Sequence, residues 1–272
     1  MAIFLNGHEI PVNQRFPDGT FAFKIEPDIA GVGQSNKAVI RWNYADESEC
    51  MALYYIVEHL RAHRVCCVTL ELPYIPNARM DRVYGTHDVF TLKVFAKFIN
   101  SLLFNQVFVL DPHSSVSAAL IDRIHICSPE PYIRRAITEI NDPNLVLFYP
   151  DEGAMKRYTK MIAAPYGFGV KSRDWESGSI KGLQLLGQAD VKDRNVLIVD
   201  DICSRGGTFY LAAKALKEAG AKDINLYCSH CEQTIFHGAL LTSDFVARIF
   251  TTDSIFSGDH AKITVFPWEA EA

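Results

Sequence analysis

Val196-Leu-Ile-Val-Asp-Asp-Ile-Cys-Ser-Arg-Gly-Gly-Thr208 is the stretch of this sequence that decides the fold. Its leading apolar residues predict a buried strand, and two carboxylates, a glycine turn and a helix from Phe209 follow that strand. Gly206 and Gly207 let backbone N–H groups approach an anion, Thr208 adds a hydroxyl, and the N-terminus of the helix is positive. We therefore interpret the turn as a phosphate-binding loop.

Asp200 and Asp201 require a different explanation, because carboxylates accept hydrogen bonds and bind hard cations. An acidic pair one turn away from a phosphate loop suits a ribose diol, a magnesium ion, or both. A plain strand-to-helix junction can also carry Asp, Gly and Thr as helix caps, but this combination exceeds what capping needs. The segment therefore favours a sugar-phosphate site.

Length and charge limit the classes of protein to consider. The chain has 272 residues, 49% hydrophobic and 22% charged, with a formal net charge of −5. This length allows one large or two ordinary domains, and the negative charge provides no electrostatic footprint for nucleic acid or anionic lipid. The apolar run at Met1–Leu5 is too short for a signal peptide, and Phe98–Leu110 is too short to cross a membrane. We expect no nucleic-acid partner and no membrane association.

The seven cysteines are an odd number, and Cys66 and Cys67 are adjacent, so they do not form the pattern of a disulfide framework. A reducing cytoplasm is the expected compartment. Cys228-Ser-His-Cys231 has the spacing of half a zinc site, but no second pair of cysteines lies nearby in the sequence. We therefore assign no zinc site to it.

The order of predicted elements indicates an α/β protein with mainly parallel sheets flanked by helices. Ala38–Arg41 reads as a strand, Glu47–Ala62 as a helix and Val65–Leu70 as a second buried strand. The apolar strand, acid and turn of Val107–His113 repeat the pattern that begins at Val196, which supports two tandem domains. The polar, proline-bearing segment Asn141–Asn144 is the predicted boundary, giving domains 1–142 and 143–272.

Two further loops carry charge at positions typical of ligand sites. Pro73-Tyr-Ile-Pro-Asn-Ala-Arg-Met-Asp-Arg82 leaves the carboxyl end of a predicted strand, and its two arginines suit the oxygens of a phosphate. They could instead be solvated surface arginines paired with Asp81. Tyr166–Ser179 lacks any period and contains three glycines, so we predict a mobile loop with Lys171 and Arg173 at its root, or else an ordinary flexible hairpin.

These motifs resemble those of type I phosphoribosyltransferases and of their relatives, the ribose-phosphate diphosphokinases, also called pyrophosphokinases or phosphoribosyl diphosphate synthetases. The arginine loop, Asp111-Pro-His113 and an entire preceding domain favour the diphosphokinases, and the resemblance extends from Phe16 to about Gly238. It implies two phosphoribosyltransferase-like domains. It also implies magnesium, ATP as co-substrate and a homo-oligomer.

The resemblance assigns a role to each matching residue. On the nucleotide side, the resemblance implies that ATP is bound by Phe16, Asp18, Arg79, Arg82 and His113. On the sugar side, it implies that the ribose phosphate is bound by Asp151, Asp200, Asp201, Ser204, Arg205, Gly206, Gly207 and Thr208. His113 and Asp151 would hold the metal, although a lone histidine after a strand is more often structural and Asp151 can be a helix N-cap. Lys171 and Arg173 would be catalytic.

The chain departs from the family at Thr20 and Met80, where the family has a Glu and a Gln that contact the nucleotide, and at Ser204-Arg205, where it has Asp-Thr. An arginine in the sugar-phosphate pocket either crowds ribose 5-phosphate or reaches a further phosphate, and turned to solvent it leaves the pocket open. The last two cases allow a larger 5-substituent, for which ADP-ribose is a candidate. Neutral variation with ribose 5-phosphate still in use is the other interpretation.

The expected reaction is transfer of the β,γ-diphosphate of ATP to the anomeric hydroxyl of a 5-substituted ribose, with release of AMP. Two alternatives stay open. A phosphoribosyltransferase would consume a ribosyl diphosphate and need no ATP. A catalytically silent homologue would regulate an active partner, and the changes at Thr20 and Met80 favour it while the retained Lys171 and Arg173 oppose it.

Overall fold

The structure is a computed structural model that describes residues 3–31, 33, 35–173, 180–187 and 189–270, without the side chains of 171–173 and 180–184. The chain divides into two compact units, of which the first ends at Cys127 and also includes Glu269 and Ala270, and the second is Ser128–Trp268.

The first unit is an α/β unit whose sheet has the strand order β2-β1-β3-β4-β5-β6. Strands β3 to β6 are parallel, and β1 pairs antiparallel with β2 and β3. Its elements are β1 (Ile3–Leu5), β2 (His8–Ile10), β3 (Lys37–Trp42), α1 (Glu49–Ala62), β4 (Cys67–Glu71), α2 (Thr91–Ser101), β5 (Gln106–Leu110), α3 (Ser115–Leu120) and β6 (Ile124–Cys127).

The second unit has the strand order β13-β12-β11-β10-β7-β8-β9, parallel from β13 to β8 with β9 antiparallel at the edge. Its elements are α4 (Glu130–Ile140), β7 (Val146–Tyr149), α5 (Glu152–Tyr158), β8 (Tyr166–Arg173), β9 (Ile180–Gly187), β10 (Val196–Cys203), α6 (Gly207–Glu218), β11 (Ile224–Cys231), a 3₁₀ helix (Gln233–His237), β12 (Arg248–Thr252) and β13 (Ile263–Phe266). The predicted fold class, α/β with two mainly parallel sheets flanked by helices, is confirmed.

Strand β10 lies inside the second sheet and is buried on both faces. Val196 and Ile198 contribute to the core on one side, and Leu197 and Val199 to the core on the other. Strands covered on both faces read as continuous apolar runs, which is why Val196–Val199 predicts a strand without alternation. The strand continues through both aspartates to Cys203 and so places them at its carboxyl end.

The division between the units falls before α4, whereas the sequence placed it after this helix. Ile133 and Ala136 of α4 are fully buried in a core with Leu147 of β7 and Phe250 of β12. The polar segment at 141–144 is therefore a connection within the second unit. A polar, proline-bearing loop can follow a helix either between two units or within one unit. Composition alone therefore misplaced the boundary.

The predicted mobile loop at 166–179 is a β-strand over its first half, because β8 pairs with β9 in a hairpin. Residues 174–179 lie outside the described residues. A Cβ on Gly187, whose φ is +127°, would lie 2.7 Å from the Cα of Gly167. The two glycines thus allow the backbones of the hairpin to approach closely, and here they mark strand pairing rather than a loop.

Helix α1 is tied to β3 by a buried carboxylate. Glu49, the first residue of α1, is only 6% exposed. Its Oε2 accepts hydrogen bonds from the indole Nε1 of Trp42 at 2.9 Å and from the backbone N of Ala45 at 2.8 Å. This one side chain satisfies the buried indole N–H of Trp42 and a part-buried backbone N–H.

We predict that Glu49→Ala destabilises the protein, because a buried donor left without an acceptor costs about 1–3 kcal/mol. Because only the indole N–H is fully buried, the loss should be about 1–3 kcal/mol in urea unfolding followed by tryptophan fluorescence. The control is Glu47→Ala, which removes an exposed carboxylate two positions earlier. Equal stability of the two variants would contradict the role given to Glu49.

Candidate functional site

The turn after β10 is held in a conformation that only glycine adopts easily. Gly206 has φ +76°, and a Cβ there would lie 2.8 Å from Cδ2 of Leu240. A side chain at this position would therefore be strained by both conformation and space. Gly207 is exposed, and a Cβ there would meet no atom within 4 Å. The turn is packed on one side and open on the other.

The open side is the N-terminus of helix α6. No side chain caps this helix at Gly206, so its first N–H groups depend on an external acceptor. Thr208 is partly exposed, and within the described part of the chain its hydroxyl makes no hydrogen bond. Uncapped N–H groups, a hydroxyl and the positive end of a helix are features that suit a phosphate group.

A second glycine fixes the loop from the other side. A Cβ on Gly238, which follows the 3₁₀ helix, would overlap the carbonyl oxygen of Arg205. The Ser204 hydroxyl donates to Oε2 of Glu232 at 2.7 Å, and the Glu232 N–H donates to the Cys203 carbonyl at 2.8 Å. The end of β10 and the end of β11 are thus joined. Ser204 serves this connection in the structure.

Arg205 is exposed, in contrast to the packed backbone that carries it. Among the described residues, no acceptor forms a hydrogen bond or an ion pair with its guanidinium. The side chain is thus available to a ligand bound at the loop.

The surroundings of Asp200 disfavour the charged form of its carboxyl. Burial first, and then the charge of Asp201 and that of Asp151, raise the pKa of its carboxyl well above the ordinary value of 3.8. A third carboxylate therefore lies within electrostatic reach of the predicted pair. A cation or hydroxyl donors from a sugar would relieve this repulsion. The three acids fit either ligand.

Asp201 is engaged within the protein. Its Oδ2 accepts from Nη1 of Arg157 at 3.0 Å, and its Oδ1 accepts from the Ile202 N–H at 2.9 Å. The Asp201 side chain is 7% exposed and that of Arg157 is 25% exposed. The pair joins α5 to β10 at the edge of the site. Sequence reasoning missed Arg157, because no motif marks it and it lies 44 residues from its partner.

Asp151 caps helix α5. Its Oδ1 accepts from the Ala154 N–H at 3.1 Å, so the helix-cap interpretation describes its contact in the structure. The same carboxylate also raises the pKa of Asp200. Asp151 therefore lies within electrostatic reach of the acidic group as well.

In the first unit, the predicted arginine loop follows β4. Nε of Arg82 donates to Oδ1 of Asp81 at 2.9 Å, and its Nη2 lies 3.5 Å from Oδ2. This hydrogen bond is the main cause of a lowered pKa at Asp81, and the charge of His113 lowers it further. The structure thus brings the loop and His113 together around a buried carboxylate. Arg79 and Arg82 are both exposed.

Phe16 and Asp18 lie in a tight turn. The Gly19 N–H donates to the Phe16 carbonyl at 2.8 Å, and Phe16 is 56% exposed. The Thr20 hydroxyl donates to Oδ1 of Asp18 at 2.7 Å and lowers the pKa of Asp18. Thr20 therefore supports the turn from within instead of contributing a carboxylate. Lys171 and Arg173 belong to strand β8, and their side chains are outside the described set.

Part of the chain, including the loop after β10, matches a known family model. The phosphoribosyl transferase domain model matches residues 155–239, which contain the loop. The chain is 28% identical over 262 residues to ribose-phosphate pyrophosphokinase 2 of Enterococcus faecalis, covering 92% of this chain and 77% of that protein. It is 27% identical over 222 residues to the ribose-phosphate pyrophosphokinase of Saccharolobus solfataricus, covering 80% and 75%.

The fold is also that of a solved structure, the phosphoribosylpyrophosphate synthetase from Mycobacterium smegmatis. The TM-score is 0.77 at 19% identity, covering 93% of this chain and 84% of that one. Fold and loop together define a protein with phosphoribosyltransferase-like units. More specifically, over most of its length the chain is similar to ribose-phosphate pyrophosphokinases, which are diphosphotransferase enzymes. No described helix is long and apolar enough to cross a membrane.

The raised pKa of Asp200 predicts a pH-dependent cost. An acid with a pKa raised by folding loses stability as pH rises from its ordinary value through the raised one. Asp200→Asn removes this loss and keeps an acceptor for the Asp201 N–H, which now bonds Oδ1 at 3.0 Å. The variant should therefore melt above the parent at pH 8, with the difference shrinking toward pH 4.

Thermal unfolding without ligand at several pH values measures this difference. The control Asp223→Asn makes the same charge change at an exposed position of the second unit. If Asp200→Asn melts at or below the parent at pH 8, the acidic group is not under the strain described here.

Proposed function

We propose that this protein transfers the β,γ-diphosphate of ATP to the anomeric hydroxyl of a 5-substituted ribose. The anomeric oxygen attacks the β-phosphorus, the bond between that phosphorus and the oxygen bridging to the α-phosphate breaks, and AMP leaves. The hydroxyl proton passes to solvent. The products are AMP and a ribosyl 1-diphosphate.

The observation that carries the proposal is the loop after β10. No side chain caps α6, a Cβ on Gly207 would meet no atom within 4 Å, and Asp200 lies on the strand that leads into the loop and has a raised pKa. One group of donors suits a phosphate and one group of acceptors suits the hydroxyls of a sugar. A sugar phosphate satisfies both at once.

The acids also fit magnesium, since a divalent cation would relieve the repulsion among Asp200, Asp201 and Asp151. Bound there, the ion would supply charge stabilisation for the phosphoryl oxygens. Asp151 and Asp200 would be its ligands in the second unit, because Asp201 is already paired with Arg157. In the first unit, His113 lies at the arginine loop and would serve ATP phosphates and their metal.

The arginines Arg79 and Arg82 would bind the triphosphate of ATP. Asp81 orients Arg82 through a two-point contact, which reduces the freedom the side chain would lose on binding. Phosphoryl transfer depends mainly on positioning and charge stabilisation, so these contacts and those of Lys171 and Arg173 would account for much of the catalysis.

The 5-substituent is proposed to be larger than a phosphate. Arg205 is exposed and extends from a fixed backbone position at the phosphate loop. Its fork of donors can reach a second phosphate beyond the first. ADP-ribose, whose 5-substituent is a diphosphate, fits this arrangement.

Magnesium-ATP with ribose 5-phosphate or ADP-ribose should yield AMP and a ribosyl 1-diphosphate in equal amounts. Chromatography with phosphorus NMR measures both products. Lys171→Ala is the control for contaminating hydrolysis and should lower the rate by about 100- to 1000-fold, the loss seen when one transition-state donor is removed.

The alternative activities give different results in the same assay. A phosphoribosyltransferase would release no AMP and would consume a ribosyl diphosphate when offered a base. A silent homologue would release no AMP with either sugar. Either result would contradict the proposal.

We predict that the parent prefers ADP-ribose to ribose 5-phosphate, and that Arg205→Thr lowers kcat/KM for ADP-ribose by about ten- to a hundred-fold. This range follows from the loss of a hydrogen bond to a charged group, about 1.5–3 kcal/mol. The value for ribose 5-phosphate should stay the same or rise. Initial rates of AMP release with each sugar provide the comparison.

Lys222→Thr is the matched control, because it removes an exposed cation from the second unit away from the loop. Its ratio of efficiencies for the two sugars should equal that of the parent. A parent that prefers ribose 5-phosphate, with no change in Arg205→Thr, would refute the larger substituent while leaving the transfer reaction intact.

A further inference from the structure

Three thiols meet beside the phosphate loop. The sulfur atoms of Cys203, Cys228 and Cys231 all lie within 4.8 Å of one another, and all three residues are buried. Cys203 is the last residue of β10, and in the parallel pairing it is in register with Cys231 on β11. Cys228 comes from the same strand as Cys231. The pairing of β10 with β11 thus brings Cys203 next to two cysteines that are distant from it in the sequence.

The proposed transfer reaction makes no use of this cluster. Hydrogen bonding to a neighbouring thiol raises the pKa of Cys203 and of Cys231, and burial raises that of Cys228. Such thiols are poor nucleophiles when no metal is bound, since the thiolate is the reactive form, whereas a metal ion deprotonates the thiols that coordinate it. Three sulfurs arranged around one point are, however, the donor set of a soft metal ion.

We propose that Cys203, Cys228 and Cys231 bind one thiophilic metal ion as three thiolates, and that this ion is Cu⁺. Three S–H bonds break, three metal–sulfur bonds form and three protons pass to solvent, with no change of oxidation state. Zinc sites in proteins are almost always four-coordinate. In the described part of the chain, no His, Asp or Glu completes a fourth position around the three sulfurs. The site therefore favours an ion that accepts three sulfur ligands.

The ion would stabilise the base of the phosphate loop. Cys203 directly precedes Ser204, and Cys231 directly precedes Glu232, which accepts the Ser204 hydroxyl. Metal bonds to both cysteines would reinforce the connection that the Glu232 N–H and the Cys203 carbonyl already make. The inference is independent of the proposed reaction, because metal binding is measured without substrates.

The test is a titration of the reduced protein with Cu⁺ in competition with a coloured Cu⁺ chelator. The parent should retain one ion per chain and should melt at a higher temperature when loaded. X-ray absorption at the copper edge of the loaded parent should show three sulfur neighbours. A parallel titration with Zn²⁺ should show weaker retention.

Cys228→Ser removes one ligand, and Cys66→Ser is the control, because Cys66 is exposed and lies in the first unit. The control should bind like the parent, and Cys228→Ser should lose the ion. Circular dichroism checks that the variants fold, and the copper-edge measurement needs only the parent should Cys228→Ser fail to fold.

Three outcomes would overturn the proposal. The parent could bind no more Cu⁺ than Cys228→Ser, the bound ion could have fewer than three sulfur neighbours, or Zn²⁺ could be retained in preference to Cu⁺. The first would leave the cluster as three buried thiols that pack as small apolar side chains.

Discussion

The contact between the backbone of Arg205 and Gly238 is the constraint on which the candidate site depends. The carbonyl of Arg205 occupies the space that any side chain at position 238 would need, and Leu240 occupies the space beside Gly206. The segment after β11 therefore determines the path of the turn after β10. No side chain caps the N-terminus of α6, which begins at this turn.

The two aspartates at the end of β10 are adjacent in sequence but differ in electrostatic state. Asp201 has Arg157 as a counter-charge, whereas the pKa of Asp200 is raised by burial and by two other carboxylates. One acid is thus committed to the fold and the other is held at a cost in stability. Strain of this kind persists where the surrounding structure is rigid enough to impose it. Ligand binding can recover the cost, which couples the affinity of the site to the stability of the strand end.

A feature could be predicted from the sequence when it is determined by residues that are close together in the chain. The helix predicted at Glu47–Ala62, the strand predicted at the start of Val107–His113 and the glycine turn before Phe209 are specified by residues next to one another, and the structure contains all three. The segment at Phe21–Ile25 alternates like a strand, yet the structure has only a single bridge there, between Arg15 and Phe21. Alternating apolar residues indicate that one face of a segment is covered. Here the Phe21 ring is covered by the rings of Phe23 and Tyr55 and needs no partner strand.

Contacts between distant parts of the chain could not be predicted in this way. The Arg157–Asp201 pair and the meeting of Cys203 with Cys231 depend on which strands are neighbours and on their register. The spacing of Cys228 and Cys231 is visible in the sequence, but nothing in the sequence indicates that Cys203 lies beside them. The boundary between units failed for a related reason, since α4 belongs to the unit whose core its apolar face covers.

Main-chain groups and side chains have separate roles in the predicted phosphate loop. Such a loop can therefore change its ligand without a change of fold. The predicted phosphate contacts come from main-chain N–H groups, whose positions depend on Gly206, Gly238 and the start of α6. Side chains at 204 and 205 are not needed for those contacts, so they can differ from the family. Ser204 turns inward to Glu232 while Arg205 points outward to solvent. The side chain at position 205 can therefore differ without changing the main-chain N–H groups on which the predicted phosphate contacts depend.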